Sequence, residues 1–392
     1  MNKLWTRRQA LTLSSKALLT PILFPLSTEI WAQPVTTRDA VASLEALAAN
    51  VSENALNLYR NAFVLDSNTL ASIGSLQYEE DVEKGLQAIR DSGLTALKST
   101  LGGGNGTFED TVADLAAAQS LIDKHPELFL KVVRHSDLMQ ARPTNRVAVI
   151  FSFEAASMLE GKLERIDMFR RLDVLVMQLT YNHKTPFGSG CLDGDTGGVT
   201  DLGRKAIQKM NEIGVALDLS HANAQTTADG IAISAKPAVI THAGCRAVYD
   251  HPRNKTDRDM KALADKGGVM GIYMLPFLTV DTRQPMLADY MQHMVHALDV
   301  CGEEHVGIGT DSMFFKVTEQ DLKEIANEEA DRRKSGVGAP GENRPPYIPD
   351  TNTPRKLEFV TDALLKHGYS PRVAEKVLGL NFSRVYKEIW TA

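Results

Sequence analysis

Four residues in this chain combine the types and the placement needed for metal-assisted hydrolysis: Glu154, His221, His242 and Asp311. Each follows a short apolar run, in Phe151-Ser-Phe-Glu154, Asp218-Leu-Ser-His221, Ile240-Thr-His242 and Gly309-Thr-Asp311. Two imidazoles and one carboxylate are a common ligand set for catalytic zinc and leave a fourth position for water. Zinc lowers the pKa of that water to about 7. A neighbouring carboxylate, here Asp311, can accept and pass on its proton. A single Asp or His after a strand is more often a helix cap. Four of them on different strand ends converge only where there is a site. The chain has no Gly-x-Ser-x-Gly elbow and no cysteine in a nucleophile context, which argues against serine or thiol catalysis.

The elements that must carry these residues alternate. Runs rich in Val, Ile and Leu at 62–66, 95–99, 147–153, 173–180, 215–220, 237–242, 268–273 and 305–310 read as buried strands. Stretches of helical period lie between them at 79–91, 109–123, 200–213, 223–234, 258–266 and 286–300. Eight strands separated by helices predict an α/β fold with a parallel sheet, and eight is the number that closes a (β/α)8 barrel. A doubly wound sheet buries its strands equally well, so the runs alone do not separate the two. In a barrel, chemistry gathers at the C-terminal strand ends. Strand one, Ala62 to Asp66, is expected to run out into a polar turn there, through Asn68 and Leu70. Residues 316–355 are charged and then rich in Gly and Pro; they predict a long loop or lid insertion. Helical period returns at 355–367 and 371–389, which should close over the barrel. Residues 61–392 therefore read as one domain after a helical lead-in at 33–60.

Length and composition set the remaining bounds. A chain of 392 residues with 43% apolar and 23% charged residues can bury a large core. A net charge of −6 without a basic patch excludes nucleic acid as the expected partner. The three cysteines allow at most one disulfide and form no C-x-x-C. Thr6-Arg-Arg-Gln-Ala-Leu11, an uncharged run broken by Lys16, and Ile30-Trp-Ala32 predict an export signal over 1–32, of twin-arginine type. The mature chain is then periplasmic or secreted, and no stretch reaches the ~18 continuous apolar residues of a permanent span.

Several motifs in series resemble the membrane (renal) dipeptidase family of the amidohydrolase superfamily. They are Val215-Ala-Leu-Asp-Leu-Ser-His221, Pro237-Ala-Val-Ile-Thr-His242, His251-Pro-Arg-Asn254, His305-Val-Gly-Ile-Gly-Thr-Asp311 and Gly379-Leu-Asn-Phe-Ser-Arg-Val385. The resemblance runs from about residue 62 to the C-terminus. It implies a (β/α)8 barrel of the metal-dependent hydrolase type, with a binuclear zinc site that cleaves dipeptides. Glu154 then matches the carboxylate bridging the metals, His221 and His242 the imidazoles of the second metal, and Asp311 the acid that handles the proton. Arg253 matches the arginine that holds a substrate's terminal carboxylate, a role that suits its bidentate fork. Tyr181 stands where many members have a His that polarises the scissile carbonyl. Asn182 and His183 are further candidates for that role or for substrate contact. The family often forms dimers, so a homodimer is expected.

The resemblance fails at strand one. The family reads Asp-Gly-His-x-Asp there, and this chain reads Asp66-Ser-Asn-Thr-Leu70. Leu70 cannot bind a metal, and Asn68 offers only a neutral carbonyl oxygen, a poor zinc ligand. One zinc is expected, with the other weak or absent. The leading reading is an exported, zinc-dependent hydrolase of a dipeptide or related amide with a free carboxylate. The alternatives are a non-hydrolytic binding or scaffold barrel and a periplasmic enzyme that tailors a peptide-like metabolite.

Overall fold

The computed structural model describes residues 51–70, 72–78, 82–194 and 196–390. The export signal over 1–32 and most of the lead-in at 33–60 lie outside these residues. A helix Glu53–Asn61, capped by the Ser52 side chain, leads into the sheet.

Eight strands form a parallel sheet in strictly sequential order. They are β1 (Leu65–Thr69), β2 (Ala96–Thr100), β4 (Val147–Phe153), β5 (Val174–Gln178), β6 (Ala216–Asp218), β7 (Val239–Ala243), β8 (Val269–Ile272) and β9 (Val306–Ile308). A doubly wound sheet would reverse its order at a switch point; this one never does. The two ends of the order meet, with Asp311 N donating to Asn68 O at 2.8 Å and Leu70 N to Ser312 O at 3.4 Å. The result is a nearly closed (β/α)8 barrel. A ninth short strand, β3 (Phe129–Lys131), pairs with the first half of β4. It was not expected from the sequence, because three residues carry no period.

Strand one sits three residues further on than its apolar run predicts. Ala62 to Val64 lead in, and the strand is Leu65-Asp-Ser-Asn-Thr69, buried throughout. The polar residues expected in a turn are inside the barrel because they find partners there. The Asp66 carboxylate accepts from Thr310 N at 2.8 Å and from Thr310 Oγ1 at 2.6 Å. A second difference lies at 316–355, which opens with a regular helix, Glu319–Lys334. Only Ile325 in it is buried, so there is no apolar stripe to read. Its ends hold it instead: Thr318 and Asp321 form a capping box, and Arg332, Arg333 and Lys334 face the negative end of the helix dipole.

The last helix, Asn381–Ile389, closes the end of the barrel opposite the strand C-termini. Phe382, Tyr386 and Trp390 pack with Leu65, Ala96, Ala216, Val239 and Val269, at the strand N-termini. Asn381 Nδ2 bonds the carbonyls of Glu303 and Val306, both at 2.8 Å. Gly379 permits this approach, since a Cβ there would lie 2.6 Å from Phe63 O. Cys191, Cys245 and Cys301 are all free and buried. Among the described residues no helix is long and apolar enough to cross a membrane.

Candidate metal centre at the strand C-termini

Two buried acids, each inside the barrel at a strand end, arrange the site. Asp66 fixes Thr310 as described, and so fixes Asp311 beside it. Asp218 does the same for both histidines. Its Oδ1 accepts from Ser220 N (3.0 Å), Ser220 Oγ (2.5 Å) and Thr241 N (3.1 Å). Its Oδ2 accepts from Thr241 Oγ1 (2.6 Å) and Gln178 Nε2 (3.1 Å). One carboxylate thus pins the residues that precede His221 and His242.

These bonds also set the tautomers. Thr241 has one hydroxyl hydrogen, and it points to Asp218. Its oxygen must therefore accept from His242 Nδ1, 2.9 Å away. Asn182 Oδ1, 2.8 Å from His221 Nδ1, likewise accepts a hydrogen bond from that ring's N–H. Both imidazoles are left with a lone pair on Nε2, and the two Nε2 atoms face each other at 3.1 Å. Burial first, and Arg253 next, holds both rings well below the usual histidine range, so both are neutral. Arg253 Nη2 donates to the His221 lone pair, so the repulsion is relieved on one side only; a cation between the rings would engage both. Glu154 completes the set: its carboxylate and the two ring nitrogens lie within 4.8 Å of one another. Hydrogen bonds behind both rings are the usual support for imidazole ligands. This donor set fits a divalent metal such as zinc.

The first-metal half does not fit. Asn68 lies inside the barrel, and its Nδ2 donates to Glu154 Oε1 at 2.7 Å and to Asp311 Oδ1 at 2.9 Å. Thr100 Oγ1 lies 3.2 Å from Asn68 Oδ1 and 3.1 Å from Glu154 Oε1. The amide's two hydrogens thus tie together the acids that a first cation would have joined. Leu70 points elsewhere, into an apolar cluster with Met313, Val317 and Ile325. Asp311 has a left-handed backbone, φ 49°, rare outside glycine and typical of strained functional positions. Its Oδ2 lies 3.9 Å from His242 Nε2. Burial, then the Glu154 carboxylate, pushes Asp311 up to about 8. Lys98 of β2, wholly buried, faces Glu154, Asp311, Asp66 and Asp218 and bonds Ser152 Oγ at 3.1 Å.

The other candidates divide. Arg253 is at the centre: Nη1 donates to Ser220 O at 2.7 Å, and Nη2 to His221 Nε2 at 3.1 Å. Tyr181 stacks its ring on His221 at 4.2 Å, but its hydroxyl receives Arg332 Nη2 at 3.1 Å. Asn182 is fully buried with both ends of its amide engaged, Oδ1 by His221 and Nδ2 by Val337 O at 2.9 Å. It supports a ligand here and has no free group for substrate. His183 is exposed and bonds Gly336 O at 2.8 Å. The sequence reading missed the parts played by Asp218, Lys98 and Thr100. A lysine at the middle of the run Ala96-Leu-Lys-Ser-Thr100 was the available signal.

Known proteins are similar to this chain in sequence and in fold. The family model for membrane dipeptidases, peptidase family M19, matches residues 74–328. The chain is 24% identical over 283 residues to dipeptidase verJ of Clonostachys rogersoniana and 22% over 292 residues to dipeptidase tcpJ of Claviceps purpurea. These matches cover 71% and 73% of this chain, and 65% and 61% of the relatives' lengths. A crystal structure of an amidohydrolase from Pseudomonas aeruginosa superposes with a TM-score of 0.76 at 27% identity, covering 86% of this chain and 99% of that one. The family model spans well over half of the sequence and the barrel matches a solved amidohydrolase, so the chain belongs to the membrane dipeptidase family.

Proposed function

We propose that this protein is an exported hydrolase that cleaves a dipeptide or related amide, using one zinc ion held by Glu154, His221 and His242. The observation that carries the reading is the pair of Nε2 lone pairs, 3.1 Å apart beside a carboxylate and shielded from water. A bound divalent cation supplies Lewis acidity and lowers the pKa of its water. Asp311 stands at the edge of the ligand set; beside a bound divalent cation its raised pKa comes down, leaving a carboxylate to take the proton of the attacking water and later return it to the leaving amine. Arg253 turns from His221 Nε2 to a substrate carboxylate, which its fork binds in bidentate fashion. Lys98 offsets the charge of the acids beneath. Export by the twin-arginine route rests on Thr6-Arg-Arg-Gln-Ala-Leu11.

A second reading, an altered reaction on a peptide-like metabolite, draws support from Asn68. Its amide stands between Glu154 and Asp311, so a cation bridged to both acids is not available to the reaction. A pure scaffold is disfavoured, because the His242 Nε2 lone pair faces that of His221 and, unlike it, receives no guanidinium hydrogen, which is costly to bury without a ligand.

The test is turnover of a dipeptide panel by zinc-loaded protein, beside Asp311→Ala. The proposal expects turnover that falls about 10²–10⁴-fold in the variant, with zinc content unchanged. Zinc binding without turnover of any dipeptide would move the assignment to the second reading. Absence of zinc from the wild type would overturn both.

A further inference from the structure

The segment after β9 forms an arch over the metal centre. Its helix, Glu319–Lys334, begins at the ends of β1 and β9, where Ile325 and Leu322 pack with Leu70, Met313 and Val317. Sixteen helical residues span about 24 Å, and the far end reaches the loop after β5, where Arg332 meets the Tyr181 hydroxyl. The return limb stays over the mouth. Gly336 O accepts from His183 Nε2, Val337 O from Asn182 Nδ2, and Pro340 O from His251 Nε2. Arg344 anchors the limb to the carbonyls of Pro276 and Val280. Under this arch His221, His242 and Arg253 are at most 3% exposed, so a substrate enters only when it lifts.

Two of the clasping residues also touch a proposed metal ligand. Tyr181 stacks on the His221 ring, and Asn182 accepts from His221 Nδ1. Asn182 is the sharper link because an amide has two unlike ends. Val337 O can only accept, so it fixes Nδ2 toward the lid and Oδ1 toward His221. That oxygen in turn keeps the His221 proton on Nδ1 and the lone pair on Nε2. With the lid lifted, only the weak thiol donor of Cys191, 3.3 Å from Oδ1, still orients the amide against the ring, and the amide can turn over. Nδ2 would then face the ring, favouring the tautomer whose Nε2 carries the proton and cannot bind a metal.

We propose that Asn182 is a positioning residue that makes zinc holding by His221 depend on closure of the 316–355 lid. The proposal rests on the single-metal reading above. By reciprocity, zinc binding must then favour the closed lid.

The experiment measures zinc affinity by competition with a chelator, and tryptic cleavage within Arg332–Lys334 with and without zinc. It compares wild type with Asn182→Ala and Asn182→Asp. In the wild type, zinc should slow lid cleavage about tenfold or more. Asn182→Ala removes both links and should weaken zinc about 10–100-fold. Asn182→Asp keeps an acceptor for His221 Nδ1 but sets a carboxylate oxygen against Val337 O. It should hold zinc within a few-fold of wild type, lose zinc protection of the lid, and be cleaved faster than wild type when metal-free. Zinc that binds wild type without slowing cleavage overturns the coupling, as does full protection in Asn182→Asp. Wild type that binds no zinc overturns the single-metal reading and the coupling together. Equal cleavage of the metal-free proteins overturns the lid contact itself.

Discussion

Asp218 is the residue through which both histidines are placed, since it takes five donors from Gln178, Ser220 and Thr241. Asp218→Asn has one acceptor oxygen fewer and adds two donors where none is wanted. We expect a loss of about 3 kcal/mol in urea unfolding, from buried donors left without partners, together with weaker zinc binding. Unchanged unfolding would mean the network is not what holds the strand ends. Asn68 and Leu70 allow a complementary test. Asn68→His with Leu70→Asp restores the family pair and should raise bound metal from about one to about two per chain. Because Leu70 packs against Ile325, the same change should also loosen the lid. Metal content unchanged in the double variant would show that the pocket is closed to a second ion. The convergence of Glu154, His221, His242 and Asp311 was legible in the sequence because a residue's type and its place after a strand are local facts. The roles of Asp218, Lys98 and Asn182 were not, since each depends on partners from other strands or loops, such as Val337, 155 residues from Asn182.

Among elements, the lid and the last helix work at opposite ends of the barrel. His251 ties the lid's return limb down through Pro340 O, stacks on Phe277 at 4.3 Å and accepts from Arg253 N at 3.2 Å. Burial, with Arg253 alongside, lowers its imidazole to about 4 from an ordinary 6.5. The unfolded chain then takes up the proton first. Stability from this residue is full above about 6.5 and is lost as pH falls toward 4, by roughly 3 kcal/mol at most. His251→Gln keeps a donor for Pro340 O and should flatten this acid limb in urea titrations at pH 7 and 4.5. An acid limb identical to wild type would assign the loss to other groups. At the other end, Trp390 stacks on Tyr386 at 4.4 Å and bonds Leu175 O at 3.2 Å. Trp390→Ala should cost about 3–5 kcal/mol yet leave metal content unchanged; a loss of metal in folded variant would contradict the division. Most helices were readable from period because each buries one face, and most strands as apolar runs because they are buried on both. Glu319–Lys334 was not, since it buries a single residue and depends on its caps. Strand one was misplaced because its polar residues look like a turn until β9 supplies their partners.

At the scale of the molecule, the barrel separates its tasks. The strand N-termini and the C-terminal helix form an apolar plug. The strand C-termini hold acids, imidazoles and several buried cations, Lys98, Arg253, Lys255 and Lys356 among them. Sequential strand order follows from eight strand–helix units, and so the barrel was legible once the strands were. Its closure at β1 and β9 was not, because it uses the Asp66 side chain as well as backbone pairing. The central proposal is that Glu154, His221 and His242 hold one metal and that strand one, with Asn68 and Leu70, supports no second. Elemental analysis of purified wild-type protein, beside His242→Ala shown to be folded by circular dichroism, tests it most directly. The account predicts about one divalent metal per wild-type chain and none in the variant. Two metals per wild-type chain, none at all, or one that survives the loss of His242 would contradict it.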